Sequence, residues 1–493
     1  MKKKAVIIGA GFGGLSCAIR LASEGMDVTV LERQQHPGGK LQRITEQGYT
    51  FDRGPSTITM SHVFRQVFEQ SGVSMEDYVR LYNLDPRTRN VFADGSIVDL
   101  TQDREQMKEQ MAVYSSKDAL RYEAFMEESK ALYTEAEHKF LNRLLLTPRD
   151  KYNMSMLKSL LRVRPLVKLD TLLRRYFEHP NTLMMLGRYA TYIGASPYST
   201  PSIFAMLGHV EADLGIYGVE GGTSSLITGM VKRAEELGVR IHTGEHVSKL
   251  SIRNGRAAGV QSYKGEYAAD VVVVNGDVLS MNRLLIPEQY RPSMNDKVIS
   301  RYEPSLSGFV TLCGVRKQYE LLQHHTVFFP EVYQDEFTDI FQRRQAAQDP
   351  TLYLCYSGYS EQGMAPDGSS NLFILANAPY VSENWSWEQH TDTYRELIFD
   401  KLAARGIDGL DQSDVIIHYN PEQIEQDTLA YRGGIYGISS NTVNQTFFRP
   451  GNKHKDIEDL WFVGGTTHPG GGTPIVTLSG QLVGEQVARK YTG

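Results

Sequence analysis

The chain has 493 residues, 41% of them hydrophobic and 22% charged, with a formal net charge of −6. That length predicts two intimately connected domains rather than one small one, and the acidic balance argues against a nucleic-acid binder. No window approaches about eighteen uninterrupted apolar residues, so no transmembrane helix is expected. Three widely spaced cysteines, Cys17, Cys313 and Cys355, form no CxxC pair and suit a reducing cytosol.

The first predicted element is a strand, Lys4-Ala-Val-Ile-Ile8. It leads into the turn Gly9-Ala10-Gly11-Phe12-Gly13-Gly14 and then a helix with Leu15, Ala18, Ile19 and Ala22 on its apolar side. Gly9 permits the sharp turn, Gly11 lets the backbone approach a pyrophosphate, and Gly14 lets the helix pack on the strand. The helix N-terminus offers unpaired N–H groups and partial positive charge to the phosphates. A second strand, Asp27-Val-Thr-Val-Leu31, ends at Glu32, whose carboxylate can accept ribose hydroxyl hydrogens and disfavours a phosphorylated ribose. A secretory leader is a poor alternative. Glycines interrupt the apolar stretch after Lys2, Lys3 and Lys4, and Arg20 and Glu24 follow closely.

Pro37-Gly38-Gly39-Lys40 comes next, with Arg43 three residues on. It predicts a loop bending over the same cofactor, where Lys40 or Arg43 could neutralise a phosphate. Asp52-Arg-Gly54-Pro55-Ser56 continues this wall. Residues 80–210 are richer in helical periodicity and charge. Tyr217-Gly-Val-Glu-Gly221-Gly222 then opens an ordered stretch: a helix with Leu226, Met230, Val231 and Ala234, a strand Val239-Arg-Ile-His-Thr243, Val247, and the run Asp270-Val-Val-Val-Val274. These short apolar strands are expected to extend the first sheet. Residues 290–420 read as a second irregular stretch rich in tyrosine and phenylalanine. The end returns to strand, glycine turn and helix: Leu460-Trp-Phe-Val463, Gly464-Gly465, His468-Pro469-Gly470-Gly471-Gly472, and a helix from Pro474 through Ile475 and Val476. Pro474 suits a first helical turn, and the helix's positive end can face an electron-rich ring. His468, before proline and beside backbone turns, reads as structural rather than as a base.

The pattern predicts an α/β protein that enters one nucleotide-binding domain three times, through residues 1–79, 211–289 and 421–493. The inserted segments, 80–210 and 290–420, would build an α+β substrate domain. No metal site is expected. There is no HExxH, and the adjacent His324 and His325 would point to opposite faces of a strand.

Together these motifs resemble the FAD-dependent carotenoid desaturase and oxidase (phytoene desaturase) family, within the wider amine-oxidase-like flavoproteins. The resemblance spans essentially the whole chain. It implies a Rossmann-like FAD-binding domain with non-covalent FAD. The pyrophosphate would lie over Gly9, Ala10, Gly11, Gly13 and Gly14, the adenosine ribose near Glu32 and Arg33, and the adenine near Val247. The ribityl chain and ring would lie near Gly39, Lys40, Leu41, Gly54, Pro55 and Ser56, and near Gly464, Gly465, Pro474, Ile475 and Val476. The family pattern carries over no side-chain catalyst. Several strings look more like the branch that oxidises a terminal methyl of an acyclic, diaponeurosporene-like carotenoid to an aldehyde than like the dehydrosqualene desaturase branch. They are Tyr217–Gly222, His324–Phe329, Arg432–Gly437, Pro469–Pro474 and Val476–Gln481. Thr467-His468-Pro469 departs towards the desaturase pattern.

A carotenoid dissolves in the bilayer, so the enzyme must reach it there. Residues 139–175 hold ten basic against two acidic side chains, a local +8, interleaved with leucines and methionines. That composition predicts a peripheral contact with an anionic membrane surface from the cytoplasmic side. Other carotenoid enzymes are conceivable partners. Hydride loss from an allylic C–H leaves a cation spread over the polyene, and a weak base or water can take the following proton. The aromatic residues Phe328, Phe329 and Tyr436 are candidates for setting how far the polyene slides past the flavin. An amine oxidase would need a polar pocket and no membrane surface. A redox-silent isomerase would share the cofactor. A non-catalytic flavin or lipid binder would not need the ring-side wall at 464–476.

Overall fold

The computed structural model describes residues 2–151 and 154–491. Its organising element is a five-stranded parallel sheet, ordered Leu460–Phe462, Val271–Val274, Lys4–Ile8, Asp27–Leu31 and Arg240–His242. Strands distant in sequence are therefore neighbours. Val271–Val274 is buried at all four positions, as a strand covered on both faces requires.

The Phe12–Ser23 and Thr473–Tyr491 helices pack on each other beside this sheet. Small residues allow it: a Cβ at Gly480 would stand 2.2 Å from the Gly13 carbonyl oxygen. The first and last helices are thus pressed together beside the Gly9–Gly14 turn.

A seven-stranded sheet faces this unit. Its order is Val415–Tyr419, Ser307–Val315, Ser370–Ala378, Leu352–Tyr356, His325–Phe328, Thr88–Val91 and Ile97–Leu100, antiparallel except where His325–Phe328 meets Thr88–Val91. Five of these strands come from the stretch expected to be irregular. Ser307–Val315 is buried at all nine positions, so it lacks the alternation that marks a half-buried strand.

Two further expectations change. Val247 does not extend the parallel sheet; it begins Val247–Arg253, in a three-stranded antiparallel sheet with Arg256–Ser262 and Glu266–Ala268. The hairpin between the first two turns at Asn254-Gly255, with φ of +52° and +74°, the two-residue signature that separates a hairpin from a crossover. Tyr217–Val219 pairs instead with Leu81–Asn83.

Helices of the 80–210 region, chiefly Arg104–Ala112 and Ser116–Ala136, cover one end of the seven-stranded sheet. Asp103 and Ser115 cap their N-termini through side-chain oxygens.

Candidate functional site

One cavity of about 770 Å³ runs between the two large sheets, within the usual range of ligand pockets, roughly 300–1,000 Å³. Its walls include Ile8 and Leu31 from the parallel sheet, and Val310, Tyr353, Phe373 and Leu375 from the seven-stranded one.

At one end the wall is main chain. Gly9 has φ +97°, and a Cβ there would stand 2.6 Å from the Asn275 carbonyl oxygen. The helix starting at Phe12 has Gly11 as N-cap and no side-chain acceptor at its start, so its first N–H groups stay available to an anion. Gly39 faces Gly11 across this end, and a Cβ on Gly39 would lie 3.4 Å from the Gly11 Cα. A Cβ at Gly14 would meet the Gly9 oxygen at 2.1 Å, which is the close helix–strand packing expected of that position.

Asn275 is the residue the sequence reading missed. It follows the Val271–Val274 strand, and its Nδ2 donates to the Gly9 oxygen at 3.3 Å. Virtual Cβ atoms on Gly11, Gly13 and Gly464 would lie 3.2, 2.8 and 3.2 Å from its side chain. A polar residue directly after an all-valine strand beside the sheet's central strand is the signal that could have found it.

Glu32 is buried and lines the cavity. Its Oε2 accepts from the Ala10 N–H at 2.7 Å and its Oε1 from the Gln34 N–H at 2.8 Å. Each carboxylate oxygen has a second lone-pair site for a further donor. Arg33 donates to the Gln426 carbonyl at 3.1 Å and to that of Asp427. Val247 reaches the cavity, flanked by the stacked rings of His246 and Tyr263, 4.8 Å apart.

Lys40 is open to the cavity yet enclosed by surrounding protein. Its Nζ donates to the Ile435 oxygen at 2.7 Å and the Gly434 oxygen at 3.2 Å. Burial lowers its pKa to about 8, partly opposed by Asp277. Arg43 is no phosphate partner. It pairs with Asp52 at 3.1 Å and donates to the Gly221 carbonyl, away from the cavity.

Gly54, Pro55 and Ser56 lie on the cavity wall, as do Leu41, Gly464, Gly465 and Pro474–Val476. Arg449 braces the C-terminal turn: its Nη1 donates to the Gly465 oxygen at 3.1 Å, and Nη2 to Ile438 O and Ser440 Oγ. Burial lowers this guanidinium's pKa to about 10. His468 Nε2 donates to the Arg143 carbonyl at 2.8 Å, a tie between segments rather than a base in the cavity. Tyr436 lines the cavity beside Gly471.

Phe328 and Phe329 do not line the cavity. Both are core residues, and Phe329 stacks on Phe92 with ring centroids 5.1 Å apart. Strand alternation turns Phe328 to the face opposite Tyr353, which does line the cavity, whereas Phe329, beyond the strand's end on Tyr353's side, is covered by Phe92. The Tyr353 hydroxyl meets Ser56 Oγ at 2.7 Å and His325 Nδ1 at 2.8 Å. Behind it His324 and His325 meet edge-to-face at 4.6 Å. They do not diverge, because the strand begins only at His325. Cys355 lies opposite His325 in the antiparallel register, so His324, His325 and Cys355 place potential ligand atoms within 4.8 Å of one another. Burial lowers the His324 pKa to about 4 and raises that of Cys355 to about 12, so these groups are neutral near pH 7.

Residues 12–488 match the model of the flavin containing amine oxidoreductase family. A 4,4'-diapolycopene oxygenase of Methylomonas sp is 34% identical over 98% of this chain and 98% of its own length. A 4,4'-diaponeurosporene oxygenase of Staphylococcus haemolyticus is 33% identical over 99% and 97%. Among solved structures, an oxidoreductase from Methanosarcina mazei superposes with a TM-score of 0.66 at 18% identity, covering 98% of this chain and all of that one. Wild-type putrescine oxidase superposes at 0.65 and 12%, covering 99% of each; both likenesses concern the fold. The chain belongs to the flavin containing amine oxidoreductase family. It is an FAD-dependent oxidoreductase with a Rossmann-like α/β fold. The residues present fit FAD: a side-chain-free turn, an uncapped helix start and a buried acceptor at Glu32 share one cavity.

Proposed function

We propose that this protein oxidises the terminal methyl of an acyclic, diaponeurosporene-like carotenoid to an aldehyde. The observation that carries the reading is one continuous cavity. It joins the glycine-walled nucleotide end to an apolar reach lined by Leu141, Phe204, Met206, Leu207 and Val210, in a chain that matches carotenoid oxygenases over nearly its full length. FAD, when bound, supplies the hydride acceptor. The pyrophosphate would be held by Gly9, Ala10, Gly11, Gly13 and Gly14, the ribose by Glu32 and Arg33, and the adenine beside Val247. The remaining wall, from Gly39–Leu41, Gly54–Ser56, Gly464–Gly465 and Pro474–Val476, would position the ring. Segments 1–79, 211–289 and 421–493 form the cofactor domain in this reading, and 80–210 with 290–420 the substrate domain.

Substrate would arrive from an anionic membrane. Among the described residues no helix is long and apolar enough to cross a membrane. In the 139–175 segment Met154, Leu161 and Leu166 are 68%, 70% and 86% exposed, and Lys158, Lys168 and Arg175 are exposed beside them. The effective charge is smaller than +8. Arg162 and Arg164 pair with Glu135 and Glu128 from outside the segment, and Leu144 and Leu146 pack inward.

The test is incubation of the FAD-loaded protein with polyenes in anionic liposomes, followed by mass analysis. Gain of one oxygen with loss of two hydrogens supports methyl oxidation. Loss of two hydrogens alone moves the assignment to a desaturase, the reading that Thr467-His468-Pro469 favours. Liposome binding should weaken with salt, since exposed charges are screened over roughly 8–10 Å near physiological ionic strength.

A further inference from the structure

A buried guanidinium stands on the wall of a cavity otherwise suited to a hydrocarbon. Arg188 follows the Pro180–Gly187 helix as its C-cap, is 4% exposed, and lines the cavity. Its Nε and Nη2 are buried without an acceptor among the described residues. The guanidinium carbon lies 4.8 Å over the Tyr192 ring, a cation–π contact that leaves Nε and Nη2 without an acceptor. Glu211 is also buried, with both carboxylate oxygens unpartnered, and forms no ion pair with Arg188 among the described residues. Burial opposes the charge on Arg188, but Tyr192 and Glu211 outweigh it, so the guanidinium stays protonated.

The position of this charge is informative. Arg188 opens the short helix Arg188–Ile193, and a Cβ on the following Gly194 would stand 2.8 Å from the ring of Tyr436, which in turn borders Gly471. Arg188 therefore sits on the element that meets Tyr436 beside the C-terminal glycine loop. A polyene hydrocarbon offers no hydrogen-bond acceptor there, and a buried charge without one is costly. A carbonyl oxygen on the chain end would satisfy it.

We propose that Arg188 forms a subsite for the carbonyl oxygen at the oxidised end of the polyene. The inference rests on the carotenoid reading above and adds the end-group chemistry. It places the oxygenated end against a fixed donor, so that the aldehyde is held where it forms. The corresponding carboxylate should bind more tightly still, because both partners would then be charged.

The experiment titrates the full-length, FAD-loaded protein with an acyclic polyene hydrocarbon and with its terminal aldehyde. The wild type should bind the aldehyde about tenfold more tightly, the size expected of a hydrogen bond to a charged donor. The bound aldehyde should also absorb at longer wavelength, because a donor at the carbonyl stabilises charge separation along the polyene. Arg188→Met should remove both the preference and the shift, and Arg188→Lys should retain part of each. Equal affinities with no shift in the wild type overturn the subsite whatever the variants do, as does a Met variant that keeps the preference. If neither polyene binds the wild type, the carotenoid reading itself falls.

Discussion

At the glycine-lined end of the cavity the wall is main chain; at the far end it is side chain. The first is assembled from Gly9, Gly11, Gly13 and Gly39, with Asn275 holding the turn by one hydrogen bond. The second is assembled from Tyr353, Phe373, Leu375, Arg188 and Tyr436, residues from three segments of the chain and from different strands and loops. A main-chain wall tolerates almost no added atom, because its neighbours are backbone that cannot rotate away. A side-chain wall can adjust rotamers, so substitutions there should change what is bound before they change whether the protein folds.

The largest effect should come from Gly11→Val. The added Cβ would stand 3.2 Å from Asn275 Nδ2 and 3.8 Å from the Gly39 Cα, and its methyls must enter the pyrophosphate space. Flavin content, measured by absorbance after heat release, should fall at least about tenfold; full content in this variant would falsify the cofactor placement.

The contrast sharpens between Phe329 and Tyr436. Phe329→Ala should cost about 3–5 kcal/mol, as for a large buried aromatic, and leave the site of oxidation on the polyene unchanged. Tyr436→Ala should cost less and change the position attacked, because Tyr436 borders the cavity. Denaturant unfolding and product mass spectra separate the two. Altered products from Phe329→Ala with unaltered stability would break the distinction.

Asn275→Ala should follow. Its loss leaves the Gly9 oxygen without its side-chain donor, a penalty of roughly 1–3 kcal/mol. Flavin should dissociate faster even though no cofactor-facing glycine has changed.

The smallest effect is a pH dependence at Lys40. Its pKa is lowered from 10.5 to about 8, chiefly by burial, with Asp277 opposing. The unfolded chain therefore holds this proton more tightly than the folded protein. The resulting destabilisation is complete below about pH 8 and is relieved as pH rises towards 10.5. Lys40→Met should flatten this part of the stability–pH curve and raise stability near neutrality. A curve identical to wild type between pH 8 and 10.5 would count against the enclosed ammonium.

Much of the glycine-lined end was legible in the sequence because its backbone geometry is local. Gly9–Gly14, the strand ending at Glu32 and the glycine turn before Pro474 each encode backbone geometry within about ten residues, and short-range sterics act over that distance. Arg43 shows the limit. Its position beside Lys40 was readable, but its pairing with Asp52 depends on the register of a hairpin, Gln42–Glu46 against Tyr49–Arg53.

The sequence by itself determined the class of fold, the use of FAD, the glycine turn after the first strand and the kinship with carotenoid-oxidising flavoenzymes. Only the tertiary structure decided that Phe329 is core while Tyr353 and Tyr436 face the cavity. It also brought His324, His325 and Cys355 together, set Asn275 to brace a glycine turn far from it in the chain, and set Arg449 to brace the turn at Gly465. The physical reason is that these roles depend on strand order and burial. In a fully buried strand such as Ser307–Val315 no hydrophobic alternation marks which face meets the cavity, so the side chain's neighbours are known only once the sheet is assembled.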